Sequence, residues 1–84
     1  MIKIYTIPEC PFCVQLKEQL NEANINFEEV NVNLPENQIE YNQIHKITNS
    51  DDVPIIKVGK QLLVPNVSFN TIKIAVELVQ KFLA

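Results

Sequence analysis

The sequence predicts an α/β fold: a small mixed sheet of four strands with helices on both faces, in the order β-α-β-α-β-β-α. Three observations carry that reading. Short runs rich in β-branched residues alternate with longer segments of helical periodicity. The first strand leads directly into Cys10-Pro11-Phe12-Cys13 and a helical stripe. Later, two apolar runs are separated only by Gly59-Lys60, the mark of a hairpin. A strand–helix–strand opening calls for a parallel pair joined by a right-handed crossover, and the hairpin adds an antiparallel edge.

Each element follows from its residues. Ile2-Lys3-Ile4-Tyr5 alternates and is rich in β-formers, so it reads as a strand, with Thr6 to Glu9 as the turn after it. From Cys10 to about Ala23, apolar residues recur at Cys13, Leu16, Leu20 and Ala23, one stripe of a helix that Asn24 stops. Phe27, Val30 and Val32 mark a second strand over Asn26 to Asn31. Pro35 suits the start of a second helix, with Glu36 in its first turn and Ile39, Ile44 and Ile47 as its apolar face to Thr48.

Asn49 to Asp52 is a polar loop. Pro54 opens a strand reaching Val58, a position where proline is tolerated. Gly59-Lys60 suits a type II′ turn into Gln61 to Val64, which Pro65-Asn66 breaks. The tail from Asn70 to Leu83 alternates at Ile72, Ile74, Val76 and Leu78, yet Ile72, Ala75, Val79 and Phe82 recur at helical spacing. Its length of about 14 residues favours a helix, with Ser68 or Asn70 as the cap.

The chain of 84 residues is expected to form one domain over 1–84. No run of about 18 apolar residues is present, so no membrane partner is expected. The start shows no pattern of a secretory leader, so a cytoplasmic location is expected. The net charge of −3 and the scattered basic residues argue against a nucleic-acid partner. Gly59 is the only glycine, so a glycine-rich phosphate loop is ruled out. A monomer is expected.

The chemistry lies in the two cysteines. Residues i and i+3 share a helix face, so the two sulfurs can meet without unwinding it. Cys10 falls at the helix N-terminus, where unpaired N–H groups and the macrodipole favour a thiolate, the form that attacks disulfides. Pro11 fits the first helical position. Two cysteines in a reducing compartment argue for catalysis or metal binding more than for a structural staple. Zinc or an iron–sulfur cluster needs four ligands, and the chain offers Cys10, Cys13 and the distant His45, so a metal or cluster carrier requires sharing across a dimer. His45 itself reads as a solvated or capping residue. Phe12, between the cysteines, reads as an exposed rim that offers an apolar surface to a substrate.

With that order and a C-x-x-C between the first strand and first helix, the chain resembles the thioredoxin fold. In detail it resembles a glutaredoxin of the dithiol Cys-Pro-Phe-Cys type. Ile4 to Cys13 is similar to the family's active-site segment, and Val53-Pro54 matches its Thr-Val-Pro element. The resemblance implies a cis-Pro54 against the active site and a Val53 backbone that pairs with the substrate main chain. Three departures accompany it. Asp52 stands for the threonine. Val64-Pro65 stands for a Gly-Gly pair, and Val67-Ser68 for the acidic element that grips the γ-glutamyl end of glutathione. Ile7 stands for a lysine near the glycyl carboxylate.

The resemblance therefore implies a thiol–disulfide oxidoreductase with Cys10 and Cys13 as the catalytic pair, reducing protein disulfides or glutathione mixed disulfides. Pro11, Phe12, Val53, Pro54, Asn66 and Ser68 would form the substrate or glutathione contacts. No cofactor is expected to be bound permanently, and glutathione is the expected co-substrate. Its partners would be a disulfide protein or a glutathionylated substrate, with glutathione or a thioredoxin reductase as reductant. The departures raise a second reading, a dedicated electron donor to one enzyme such as ribonucleotide reductase, reduced by thioredoxin reductase. In the family geometry Asp52 lies near the Cys10 sulfur and modulates its acidity, because its charge opposes a helix terminus of similar strength.

Overall fold

The computed structural model describes residues 1–84. Strands β1 (Ile2–Thr6), β2 (Glu28–Asn31), β3 (Ile55–Val58) and β4 (Gln61–Leu63) form one sheet in the order β2-β1-β3-β4. β1 and β2 are parallel, and β1–β3 and β3–β4 are antiparallel, as the opening unit and the hairpin require. Helices α1 (Pro11–Glu22), α2 (Gln38–Thr48) and α3 (Ile72–Leu83) complete the chain, with a short 3₁₀ turn at Pro35–Asn37 ahead of α2.

Strand alternation sorts the core onto the two faces. Ile2, Ile4, Ile56 and Val58 point to one face, where they meet Leu16 and Leu20 of α1 and Ile72, Ala75 and Val79 of α3. Tyr5 and Ile55 point to the other, where Val30, Val32 and Ile44 of α2 close a smaller cluster. Helices thus cover both faces. Polar groups join α2 to the sheet as well: the Tyr5 hydroxyl donates to Glu40 at 2.7 Å, and Lys3 Nζ lies 3.1 Å from the same carboxylate. The Tyr5 hydrogen bond and the Lys3 ammonium hold the Glu40 carboxyl below its ordinary range, against the opposing effect of burial.

Several boundaries differ from the sequence reading. β1 includes Thr6, which is buried and whose carbonyl accepts from Val32 N at 2.9 Å. β2 begins at Glu28, because its register pairs Glu28 with Lys3 and leaves only the first two residues of the chain opposite Asn26 and Phe27. The α2 face is not Ile39, Ile44 and Ile47: Ile39 is 77% exposed and Ile47 71% exposed. Helical spacing puts Glu40, Tyr41 and Ile44 toward the sheet instead, so part of this helix is anchored by polar contacts that a search for apolar periodicity passes over.

The ends of α1 and α3 follow from local chemistry. Asn24, at φ +58, closes α1 in a Schellman arrangement, with Ile25 N bonding Leu20 O at 2.9 Å and Asn24 N bonding Asn21 O at 3.0 Å. α3 is capped by Thr71, whose side chain accepts from Ile74 N at 3.2 Å; neither Ser68 nor Asn70 is the cap. Ser68 is committed elsewhere, its Oγ accepting from Val64 N at 3.0 Å, which tightens the turn after β4. Gly59 has φ +59 and Lys60 does not enter the left-handed region, in keeping with a II′ turn.

Candidate active site

β1, an interior strand, ends at Thr6, and the turn Ile7-Pro8-Glu9 hands the chain to α1. Glu9 takes φ +60 in that turn. Cys10 is the N-cap of α1, in extended backbone (φ −99, ψ 110), and Pro11 occupies the first turn, where no N–H is needed. The sulfur of Cys10 is the cap: it accepts from Cys13 N at 3.2 Å, a place more often filled by a serine or aspartate oxygen. A hydrogen bond from a helix-terminal N–H stabilises negative charge on that sulfur.

Both cysteines are buried, but Cys10 keeps 8% of its surface exposed and Cys13 only 1%, so Cys10 is the more accessible of the two. Burial first, then the hydrogen bond to Cys10 and the negative charges of Cys10 and Glu29, push the Cys13 thiol up to about 12, although a backbone hydrogen bond at Ile7 pulls it down. The two thiols are therefore unequal. A thiolate at Cys10 can attack a disulfide sulfur and form a mixed disulfide. Cys13 can then lose its proton and displace the partner, closing the Cys10–Cys13 bridge.

Two recesses lie beside the start of α1; Cys13 lines the second, and Cys10 lies between their lining residues Glu9 and Phe12 in sequence without lining either. A groove of about 190 Å³ is lined by Phe12, Asp52, Val53, Pro54, Pro65, Asn66, Phe69, Asn70, Thr71 and Ile72. Phe12 is 63% exposed at its edge, and Pro54 is buried at the end of a cis Val53–Pro54 bond. Asn66 adopts φ +62, and its N–H bonds Phe69 O at 2.7 Å, which shapes the loop beneath the groove. A second recess of about 330 Å³ lies along the other side of α1, lined by Cys13, Val14, Lys17, Thr6, Glu9 and Glu29 among others. There Glu29 accepts from the Thr6 hydroxyl at 2.7 Å and pairs with Lys17 at 3.0 Å. These two partners outweigh burial, which acts to raise it, and keep its carboxyl below the ordinary value.

The structure brings Phe12, Asp52, Val53, Pro54 and Asn66 together on the groove side of the cysteine helix. Ser68 is not among the lining residues, and its hydroxyl is held by the Val64 amide. The groove instead receives Asn70, Thr71 and Ile72, because α3 begins at Ile72, later than counting from the end of β4 suggests. A threonine directly before a helical apolar run was the available signal. Thr6, Lys17 and Glu29 were also missed; their meeting depends on the β1–β2 register, which no local pattern encodes. His45 lies apart, 2.7 Å from Asp51, and no group of three or more His, Cys, Asp or Glu side chains gathers as a metal site.

The inequality of the thiols has a direct readout. Brief, limiting iodoacetamide near pH 7 is expected to label Cys10 first, because Cys13 is more deeply buried and that burial pushes its thiol up. Peptide mass mapping measures this, and prior labelling of Cys13 would reverse the assignment of nucleophile.

Comparison with known proteins agrees with this geometry. A family model described as glutaredoxin matches residues 2–63. An uncharacterized glutaredoxin-like 8.6 kDa protein from the rubredoxin operon of Clostridium pasteurianum is 36% identical over 64 residues, covering 76% of this chain and 83% of that one. Among solved structures, the thioredoxin-like protein BC3987 superposes with a TM-score of 0.72 at 24% identity, covering 98% of this chain and 99% of that one. The glutaredoxin-like NrdH-redoxin of Escherichia coli, described as having a thioredoxin-like activity profile, gives a TM-score of 0.66 at 18% identity over 95% of this chain and 91% of that one. No helix here is long and apolar enough to cross a membrane.

Proposed function

The chain belongs to the glutaredoxin family, and from that premise we propose that it is a dithiol oxidoreductase that reduces protein disulfides and is itself reduced by a thioredoxin reductase more readily than by glutathione. The observation that carries the dithiol reading is the N-cap hydrogen bond from Cys13 N to the Cys10 sulfur, with Cys13 buried directly behind it. Attack by Cys10, resolution by Cys13 and release of a reduced partner follow from that arrangement. Val53, beside Pro54, offers backbone to an extended substrate chain in the groove, with Phe12 as the apolar rim.

The choice of reductant rests on charge. Glutathione carries two carboxylates, and the groove contains no cation; Asp52 is its only charged lining residue. Ile7, where the family resemblance implies a lysine, offers none either. Losing two charge-assisted hydrogen bonds, at roughly 1.5–3 kcal/mol each, weakens recognition by roughly a hundredfold to ten-thousandfold. The thioredoxin-like activity profile of the structurally similar NrdH-redoxin supports the same direction. Service to one enzyme, such as ribonucleotide reductase, is the narrower form of this proposal.

The test is an NADPH-coupled assay on a protein disulfide, with either glutathione and its reductase or thioredoxin reductase as the electron source. Turnover at least about tenfold faster with thioredoxin reductase is expected. Equal or faster turnover with glutathione overturns the choice of reductant and leaves the dithiol chemistry standing.

A further inference from the structure

We infer that the disulfide taken by this dithiol is flanked by cationic side chains, on a lysine- or arginine-bearing protein segment. The inference rests on the dithiol reading above and adds the charge of the partner. Every free charge lining the two recesses, which Phe12 and Glu9 bring up to the start of the cysteine helix, is negative. In the groove that charge is Asp52, which is exposed and in no ion pair. In the second recess the carboxylates are Glu9 and Glu29, and the one ammonium, Lys17, is already paired with Glu29 at 3.0 Å. Glu9 adjoins Cys10 and is exposed and unpaired.

The remaining cations line neither recess. Lys3 is held by Glu40 and Glu28, and Lys57 raises no positive charge at the groove because it acts on Glu40 from the α2 face. Lys73, in the first turn of α3, follows the last groove residue without lining it. A thiolate at Cys10 adds to the same sign. An anionic disulfide approaching Cys10 therefore meets like charge on both sides, and a cationic one is drawn in by it. The exposed Phe12 and the apolar floor of the groove supply contact area, and the carboxylates supply the selection.

The step that expresses this selection balances without an outside reductant. Prereduced Cys10, as thiolate, attacks one sulfur of the substrate disulfide; that S–S bond breaks and the departing thiolate takes a proton from water. Cys13 loses its proton to water and attacks the Cys10 sulfur, and the second substrate thiolate leaves. The protein is oxidised by two electrons and the substrate disulfide is reduced by two.

A single-turnover experiment with the prereduced protein tests the inference. Three disulfide-bridged peptides are used, identical except for lysine, glutamine or glutamate on either side of the cysteines. Each rate is divided by that with dithiothreitol, whose attacking thiolate carries the same single charge as a Cys10 thiolate, which removes differences in leaving-group reactivity and in attraction to the nucleophile itself. At about 20 mM salt the lysine peptide is expected to outrun the glutamate peptide by about tenfold or more, narrowing to about twofold at 0.5 M salt. Asp52→Asn combined with Glu9→Gln is expected to narrow the ratio at low salt. Glu77→Gln combined with Glu22→Gln, both exposed and lining neither recess, is expected to keep it, which separates a local field from an equal change in the net charge of the chain. Equal normalised rates for the three peptides, a ratio indifferent to salt, or a ratio unmoved by the double substitution overturns the inference alone. Failure to reduce any of the peptides overturns the dithiol reading with it.

Discussion

Cys10→Ser is expected to bring disulfide reduction down to the uncatalysed background, a loss of roughly a thousandfold or more, because a serine hydroxyl at that cap is not ionised near neutral pH and cannot attack sulfur. The fold should survive, since serine is a good N-cap and its oxygen can accept from Cys13 N as the sulfur does. Cys13→Ser has a different signature. Attack by Cys10 remains, resolution does not, and a mixed disulfide with the substrate accumulates. Non-reducing gels and intact mass after mixing with a disulfide peptide distinguish the two. A trapped adduct with Cys10→Ser and none with Cys13→Ser would invert the roles. The expectation follows from burial: Cys13, at 1% exposure, meets the Cys10 sulfur of the mixed disulfide and is not reached by a free substrate.

Leu16→Ala is the largest expected loss of stability, about 2–5 kcal/mol, or on the order of 10–30 °C in melting temperature for a domain of this size. Leu16 is fully buried between α1, α3 and the sheet, one turn after Cys13. Removing its side chain opens a cavity in the larger of the two cores and loosens the helix that carries both cysteines. Against a total stability of roughly 5–15 kcal/mol, the loss leaves a marginal protein. The companion is Ile47→Ala, which should change stability by less than about 0.5 kcal/mol because that side chain stands 71% exposed on α2. Thermal unfolding followed by circular dichroism measures both. A cost at Ile47 equal to that at Leu16 would mean that α2 presents a different face to the sheet.

These two positions show how far local patterns reach. Leu16 was legible because its helix repeats Cys13, Leu16 and Leu20 on one stripe, and all three are buried. Ile47 was misread because α2 has a weak stripe, and isoleucine at helical spacing does not reveal which side meets the sheet. Glu40 decides that side, through Tyr5 and Lys3, more than 30 residues away in sequence. The loop after β4 behaved the same way. Ser68 is a plausible cap by type, but Val64 N claims its hydroxyl, and Thr71 caps α3.

By itself the sequence determined the element order, the parallel opening, the late hairpin and a dithiol at a helix N-terminus. All of these arise from interactions within a few residues: alternation, helical stripes, caps and turns. The tertiary structure alone decided which residues line the site and which charges surround it. Asp52 and Asn70 reach one groove from two loops, and Glu29 reaches Lys17 and Thr6 across the β1–β2 register. Such meetings depend on how elements stack, and packing is settled by the whole core at once. Two sulfurs three residues apart can be read from a string; the charges that face their substrate exist only once the sheet has closed.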